Sequence, residues 1–295
     1  MSTKQLTLIE TGPSASRSDP GKPFIISASR RTDLPGFYPS QCAELIATRI
    51  RRLRTRFLYG VMFWTKQPLP FLSNPDLFKL VTELANPMVQ LTVTGLGSTI
   101  LEPGIPSPET VIAALPRLIT LFRNDPRRIR WRFDPILKHR NGLKQFNQLA
   151  LPMSQLGIRE CTISFPTYFS LKGNLTSQFN QAGIQTWHPE EQQQFLTELV
   201  QAAENHGITL RSCAQPLISR LNPKILPAAC VDAKLFESLH PQNLLLELPP
   251  DASQRKHCHC AKSEDIGSYT EHRCGGGCAY CYSRSGGPLL KSRDP

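Results

Sequence analysis

Apolar and polar positions follow two different periods along the first 215 residues. Short apolar runs that end in polar residues or glycine predict six strands. They cover residues 24–29, 57–66, 89–97, 128–137, 159–165 and 208–215, and residues 243–250 are a further strand candidate. The chain between several of these runs has the three- and four-residue spacing of a helix.

The helical segments separate the predicted strands. In residues 39–53, Cys42, Leu45, Ile46, Ile50 and Leu53 fall on one stripe. Residues 107–122 begin with Ser-Pro-Glu, which favours a helix start, and residues 189–207 end in His-Gly, a suitable stop. Strands that alternate with helices predict parallel βαβ units. Six such units favour an α/β fold with a parallel (β/α) barrel or partial barrel of TIM type, and a doubly wound sheet is the alternative.

Four segments are expected along the 295 residues. Residues 1–22 form a polar lead-in without a secretory hydrophobic region, 23–250 a barrel-type domain, 251–283 a Cys-rich extension and 284–295 a flexible tail. No apolar run approaches the roughly 18 residues of a membrane span, so no membrane partner is expected. Nine cysteines fit a reducing cytoplasm, where thiols serve metal or redox chemistry.

The charge balance is basic. Lysine and arginine total 34 against 23 acidic residues, giving a net charge of +11, and arginine is dense in residues 47–57 and 125–133. Such a surface can attract nucleic acid or another polyanion. The alternative is that arginines on helix faces keep the protein soluble, because no known nucleic-acid-binding signature accompanies the charge.

Polar residues recur where the predicted strands end, which is where parallel barrels place their active sites. Charges within the otherwise buried run "WRFDP" are unusual for a core strand. The strand ends also contain Thr65, Thr94, Ser164 and Cys213. The catalytic candidates are Arg30, Arg31, Asp33, Lys66, Arg132 and Asp134, and Gly95 and Gly97 are candidates for cofactor binding.

Three cysteines in "RCGGGCAYCYS" have the spacing C-x3-C-x2-C: Cys274, Cys278 and Cys281. Three thiolates can hold a 4Fe–4S cluster and leave one iron free to chelate S-adenosylmethionine, whose cleavage would yield a 5′-deoxyadenosyl radical. Gly275, Gly276 and Gly277 would let the backbone bend around the cluster and, with Tyr280, are cofactor-binding candidates. The alternatives are a zinc site, with His272, His259 or Cys260 as fourth ligand, and unligated thiols.

The other six cysteines fall into two groups. Cys42 lies on a helical stripe and Cys161 on a strand, so both are expected in the core. The remaining four are Cys213, Cys230, Cys258 and Cys260. Four thiolates suffice for a second 4Fe–4S cluster or a zinc ion, and plain buried cysteines are the alternative for Cys213 and Cys230.

The triplet with Tyr280 resembles the signature of the radical S-adenosylmethionine superfamily. The segments "FIISASRRTDLPGFYP", "FWTKQP", "TVTGLG", "WRFDPIL", "CVD" and "CHCAKSEDIGSYTEHRCGGGCAYCYS" resemble, in order, the bacterial family called domain of unknown function 1848. That resemblance spans residues 23–283 and implies a barrel core related to radical enzymes. It also implies that the three cysteines of the triplet bind a cluster. The four other cysteines and the charged strand-end residues match recurring positions of the family. The family often has His at Gly276 and Glu at Gln215.

These features predict a radical S-adenosylmethionine-type enzyme with one 4Fe–4S cluster or two. Its substrate is unassigned, and the basic charge favours a nucleic acid or a phosphorylated molecule. A reductant such as ferredoxin or flavodoxin is expected. The alternatives are a zinc-stabilised nucleic-acid-binding protein and an iron–sulfur electron carrier or sensor that does not cleave S-adenosylmethionine.

Overall fold

The computed structural model describes residues 21–139, 142–166 and 183–281. Its strands form one parallel sheet in the order β7-β6-β5-β4-β3-β2-β1-β8. They are β1 (Pro23–Ala28), β2 (Phe57–Thr65), β3 (Pro87–Thr92), β4 (Ile129–Phe133), β5 (Glu160–Ile163), β6 (Thr209–Ser212), β7 (Leu226–Pro227) and β8 (Glu264–Ile266). Among the described residues β7 and β8 are the two edges, so the sheet is open and compatible with a partial barrel. The predicted parallel α/β fold is confirmed. Most of the expected lead-in and the tail lie outside the described residues.

Helices connect most of the strands. They are α1 (Leu34–Phe37), α2 (Pro39–Arg52), α3 (Leu69–Ser73), α4 (Pro75–Glu83), α5 (Pro108–Leu121), α6 (Gly142–Gln155), α7 (Pro189–Asn205), α8 (Pro216–Leu221) and α9 (Ala233–Ser238). Side-chain caps explain several starts: Asn74 accepts from the amide of Leu77 in α4, and Ser107 accepts from the amide of Thr110 in α5. None of the helices in the described ranges is long and apolar enough to cross a membrane.

The outer face of the sheet carries the main hydrophobic core beneath the helices. Alternate strand residues point there, among them Ile26, Val89 and Trp131. The indole of Trp131 stacks on Phe146 of α6 with ring centroids 5.2 Å apart. The expected core cysteines, Cys42 and Cys161, are both fully buried on this face. Apolar residues on one side of each strand thus hold the helices against the sheet.

The inner face is covered by residues 228–261, called here the covering segment. Its helix α9 places Phe236 in a second buried cluster with Met62 and Met88 of the sheet. The strand considered for residues 243–250 is wrong, because Pro250 makes only an isolated bridge with Ala261. The carbonyl of Leu244 instead accepts from the hydroxyl of Tyr59, and two consecutive prolines at 249–250 cannot donate to a ladder.

The eighth strand comes from the Cys-rich part of the chain, within the expected extension of residues 251–283. It pairs with β1 so that Ile266 lies opposite Ala28, which in turn lies opposite Phe63 of β2. Glu264 of β8 forms ion pairs with Arg49 and Arg56 at 3.0 and 2.9 Å. Because β8 is parallel to β1, the chain leaves it at the edge where the other strands also end. This edge is called the carboxyl edge below.

Truncating Phe236 tests the role of the covering segment. The side chain is fully buried on the inner face, so Phe236→Ala should lower the free energy of unfolding by about 3–5 kcal/mol. Phe78 of α4 is 43% exposed. Phe78→Ala should therefore change the free energy of unfolding by no more than about 0.5 kcal/mol. Urea denaturation of both variants measures the difference. Equal losses would show that the covering segment does not contribute to the folded core.

Candidate functional site

The end of the described chain lies on the carboxyl edge. After β8, residues 267–281 pass the ends of β1, β2 and β3 and are held there by three hydrogen bonds. The hydroxyl of Tyr38 donates to the carbonyl of Arg273 (2.8 Å), the amide of Gly104 donates to Gly276 (3.0 Å), and the amide of Ala279 donates to Leu101 (2.9 Å). The cysteine triplet is therefore fixed beside the strand ends.

Close backbone packing explains the glycines of the triplet. A Cβ on Gly276 would stand 2.9 Å from Cδ1 of Ile105, and a Cβ on Gly275 would stand 2.9 Å from the ring of Phe37. The sulfurs of Cys274 and Cys278 lie only 3.4 and 3.6 Å from the same Gly276 position. The two thiols therefore both lie close to Gly276, where a larger side chain would have to displace Ile105.

Two thiols of the triplet, those of Cys274 and Cys278, resist ionisation. Burial raises the pKa of Cys274 to about 11 and that of Cys278 to about 12. The charge of Lys66 acts in the opposite direction on Cys278, and Cys281 interacts electrostatically with both other thiols. Thiolates at these positions would need a strong positive charge close to the sulfurs.

A buried hydrogen-bond network adjoins the triplet. The Nζ atom of Lys66 donates to Oε1 of Glu102 (2.8 Å) and to the hydroxyl of Tyr280 (2.9 Å). That hydroxyl and Oγ1 of Thr94 (2.6 Å) also donate to the same carboxylate oxygen. Burial opposes both charges, but Lys66 lowers the pKa of Glu102 and Glu102 raises that of Lys66, so the two stay ionised as a pair.

Asp33 joins β2 to the start of α1. Its carboxylate accepts from the amide of Lys66 (2.7 Å) and caps α1 through the amide of Gly36 (2.9 Å). Burial raises the pKa of Asp33 to about 6, and the Asp33 charge helps to raise that of Cys274. Asp33 is thus committed to positioning the strand-end loops that surround the triplet.

A second polar group lies on the inner face near the ends of β2 and β4. Arg132 forms an ion pair with Asp134, which accepts from the hydroxyl of Ser164. The guanidinium groups of Arg132 and Arg30 stand 5.5 and 5.9 Å from the ring centre of Trp64. Asp134 also contributes to raising the pKa of Lys66, so the two polar groups of the edge are electrostatically connected.

The four remaining cysteines come together at the same edge. The sulfurs of Cys213 and Cys230 are 3.3 Å apart. Cys260 hydrogen bonds through its side chain to Cys230 and to Cys258. The quartet Cys213, Cys230, Cys258 and Cys260 thus joins β6, the start of the covering segment and the chain before β8.

Some sequence candidates lie apart from these groups. Arg31 turns towards β8, where it pairs with Asp265 (3.5 Å) and donates to the carbonyl of Gly267 (2.7 Å). Gly95 and Gly97 shape the loop after β3: Gly95 has φ of +81°, and a Cβ on Gly97 would stand 1.9 Å from the carbonyl oxygen of Pro106. Both nevertheless line a small cavity with Lys66.

The residues considered as fourth ligand of a zinc-bound triplet either have other partners or are exposed. Nδ1 of His272 accepts from the amide of Ser268 (3.2 Å), His259 is exposed, and Cys260 belongs to the quartet. Within residues 21–139, 142–166 and 183–281, no three His, Cys, Asp or Glu side chains are arranged so that they could hold a metal ion as they stand. Any ion at these cysteines requires their thiols to turn.

Sequence reasoning missed Glu102 and Trp64 and misread one arginine run. Glu102 sits in an irregular loop whose polar composition gives no sign of a buried carboxylate, although the side chain is almost completely buried. In the run at residues 125–133, Arg128, Arg130 and Arg132 are all buried on the inner face. Neither a nucleic-acid surface nor a solubilising helix face explains those three arginines.

The chain thus has an open parallel α/β sheet with two groups of cysteines and buried ion pairs at its carboxyl edge. The sequence model of the family described as "Domain of unknown function (DUF1848)" matches residues 25–283. The chain belongs to this family, as the sequence motifs predict. The relation to radical S-adenosylmethionine enzymes stays a prediction.

Two further comparisons add little about function. No curated protein matches the chain. Among solved structures, the carboxyl transferase domain of Rhizobium etli pyruvate carboxylase is similar with 11% sequence identity and a TM-score of 0.28, over 72% of this chain and 40% of that chain. This low similarity transfers no activity to the present chain.

The buried pair of Lys66 and Glu102 predicts strong coupling. Lys66→Met alone leaves a buried carboxylate without its cation and should cost about 3–5 kcal/mol of unfolding free energy. Adding Glu102→Gln should recover about 1–3 kcal/mol of that loss. The exposed pair Lys79–Glu83, 3.8 Å apart, is the control and should couple by about 0.5 kcal/mol or less. Double-mutant cycles measured by urea denaturation check both values, and additive losses at Lys66 and Glu102 would contradict the prediction.

The approach of Gly104 to the triplet predicts a change in thiol reactivity. A Cβ at Gly104 would stand 2.4 Å from the carbonyl oxygen of Gly275, so Gly104→Ala must separate the two backbones. Labelling of Cys278 by a thiol reagent under anaerobic conditions should accelerate at least about tenfold, the factor that matches about 1.4 kcal/mol of lost local stability. Peptide mass spectrometry identifies the labelled cysteine.

The matched control is Gly142→Ala at the start of α6, where the nearest atom to the new Cβ is 3.5 Å away. That variant should label Cys278 at the wild-type rate. An unchanged rate in Gly104→Ala would show that residues 101–105 do not hold the triplet in place.

Proposed function

We propose that this protein is a radical S-adenosylmethionine-type enzyme whose 4Fe–4S cluster is held by Cys274, Cys278 and Cys281. The observation that supports the proposal is the placement of three thiols on the carboxyl edge of a parallel sheet, next to buried polar strand-end residues. In parallel α/β folds that edge is where substrates bind. Three thiolates leave one iron available to another ligand.

The residues present fit such a cluster in their donor chemistry. Two of the three sulfurs face one tight glycine turn, and Tyr280 lies between the second and third cysteines. The raised pKa values of Cys274 and Cys278 mean that a positive centre near these two sulfurs favours their thiolates. A bound cluster would supply that positive centre and one-electron reduction of S-adenosylmethionine, with a donor such as ferredoxin or flavodoxin as reductant.

Lys66 and Glu102 position the triplet in this proposal. Their contacts with the hydroxyl of Tyr280 fix the residue next to Cys281 and two residues after Cys278. Glu102 is almost completely buried and Lys66 is half-buried, so these hydrogen bonds hold this part of the chain in a largely dehydrated place. Asp33 acts in the same way from the other side, since its carboxylate fixes the amide of Lys66.

The substrate side of the site would be the region of Arg132, Asp134 and Trp64. These residues offer a paired cation, a carboxylate and an aromatic surface on the inner face close to the strand ends. A polar substrate with an anionic group, such as a phosphorylated molecule, suits this set better than an apolar one. Arg30 flanks the same indole and is paired with Asp251 at 2.9 Å.

Anaerobic reconstitution with iron, sulfide and a thiol reductant tests the proposal. The wild-type chain should gain the visible absorption of a 4Fe–4S cluster, with about four iron and four sulfide per triplet. After reduction with dithionite it should convert S-adenosylmethionine to 5′-deoxyadenosine. Cys278→Ala should lose both the cluster and this product, because one of the three thiolates is removed.

Cys42→Ala is the matched control, since Cys42 is fully buried in the outer-face core and belongs to neither the triplet nor the quartet. It should keep the cluster and the product. A stable cluster that never yields 5′-deoxyadenosine would instead favour the electron carrier or sensor. Zinc without visible absorption, lost on Cys278→Ala, would favour the zinc-stabilised nucleic-acid-binding protein.

A further inference from the structure

The quartet of cysteines brings together three distant parts of the chain. Cys213 follows β6, Cys230 begins the covering segment, and Cys258 and Cys260 come just before β8. Their sulfurs form a continuous chain of contacts from Cys213 through Cys230 and Cys260 to Cys258. Cysteine side chains that pack only as small hydrophobes have no need to meet in this way.

The surroundings of these sulfurs are those of thiolates. Nη1 of Arg132 donates to Sγ of Cys230 at 3.0 Å. The backbone amides of Cys230 and Val231 both point at Sγ of Cys260, at 3.2 and 3.4 Å. Hydrogen bonds from amides and from a guanidinium to sulfur are the outer contacts that orient and stabilise metal-bound thiolates.

We propose that Cys213, Cys230, Cys258 and Cys260 form a second, independent metal site that holds one tetrahedral ion of the zinc type. Two sulfurs bound to one zinc at about 2.3 Å stand about 3.8 Å apart. The sulfurs of Cys213 and Cys230, at 3.3 Å, need to separate by only about half an ångström to reach that spacing. A 4Fe–4S cluster would have to spread the four sulfurs much further, since each binds a different corner of the cube.

The site is structural in character. Three of its ligands are almost completely buried, and four protein thiolates leave no open position for a substrate on a tetrahedral ion. The ion would link the start of the covering segment to the chain just before β8. Since the triplet follows β8, the ion would also help to fix the segment that carries it. Its formation requires the four thiols to lose their protons and to turn towards the ion.

Metal analysis of a chain without the triplet tests this site separately from the proposed enzyme. The combined substitution Cys274→Ala, Cys278→Ala and Cys281→Ala removes the cluster ligands and its visible absorption. Purified from cells grown with zinc, this chain should contain about one zinc per chain. Grown with cobalt instead, it should show the intense charge-transfer and visible bands of tetrahedral Co²⁺ bound by thiolates.

Further substitutions in the same background assign the ligands. Cys260→Ser should abolish the bound metal, and Cys42→Ala should leave it unchanged because that buried thiol lies elsewhere. Cys258 is only partly buried, so Cys258→Ser should fold as the parent does and lower the affinity for Co²⁺ at least tenfold. Circular dichroism verifies folding, and Cys258→Ser keeps the test decisive if Cys260→Ser fails to fold.

Three results would overturn the inference. A folded chain without zinc and without a thiolate–cobalt spectrum would show that the quartet binds no metal. Iron and sulfide in place of zinc, lost on Cys258→Ser, would show a second cluster instead of a single ion. Zinc retained at full affinity in both serine variants would place the ion elsewhere. None of these results bears on whether the triplet carries its cluster.

Discussion

Buried polar side chains on the inner face of the sheet determine where the covering segment runs. A guanidinium or amide group that is removed from water without a partner costs several kcal/mol, and this face carries several of them. The segment supplies backbone carbonyls as partners: Gln90 donates to the carbonyl of Cys230 (2.7 Å), Asn86 donates to Phe236 (2.8 Å), and Arg128 donates to Leu239. The hydrogen bonds that satisfy these side chains therefore also place Cys230 beside Arg132. The quartet forms because the covering segment closes the inner face in this way.

The parallel direction of β8 has an equally large effect on the other cysteines. Since β8 extends the sheet beside β1, the chain that follows it must emerge on the carboxyl edge. Residues 267–281 then pass the neighbouring strand ends, where Tyr38, Leu101 and Gly104 fix them. A segment of three strand residues thus decides that the triplet and the strand-end polar residues share one edge.

The sequence predicts the fold wherever the apolar pattern is long, as in β2 and α7, because many residues repeat the same period. It does not predict β8, since Glu264, Asp265 and Ile266 are too short and too polar to show a strand period. The charges in "WRFDP" are visible in the sequence as unusual for a core strand, yet the burial of the β4 arginines depends on the covering segment, which is distant in sequence. The spacing of the triplet predicts a shared cluster, and this stays a prediction. The meeting of the quartet, and the role of Glu102 beside Tyr280, depend on contacts between residues distant in sequence, such as Cys230 with Cys260, 30 residues apart, and Glu102 with Tyr280, 178 residues apart.

Both cysteine groups adjoin a cation that already has its own carboxylate. Lys66 pairs with Glu102 beside the triplet, and Arg132 pairs with Asp134 beside the quartet. Each such pair is close to neutral. It can therefore orient the sulfurs, but it does not balance several thiolate charges in a buried place. In the proposed sites, the positive charge of a bound metal would favour the loss of the thiol protons. The ion pairs would then serve to orient the sulfurs towards that metal.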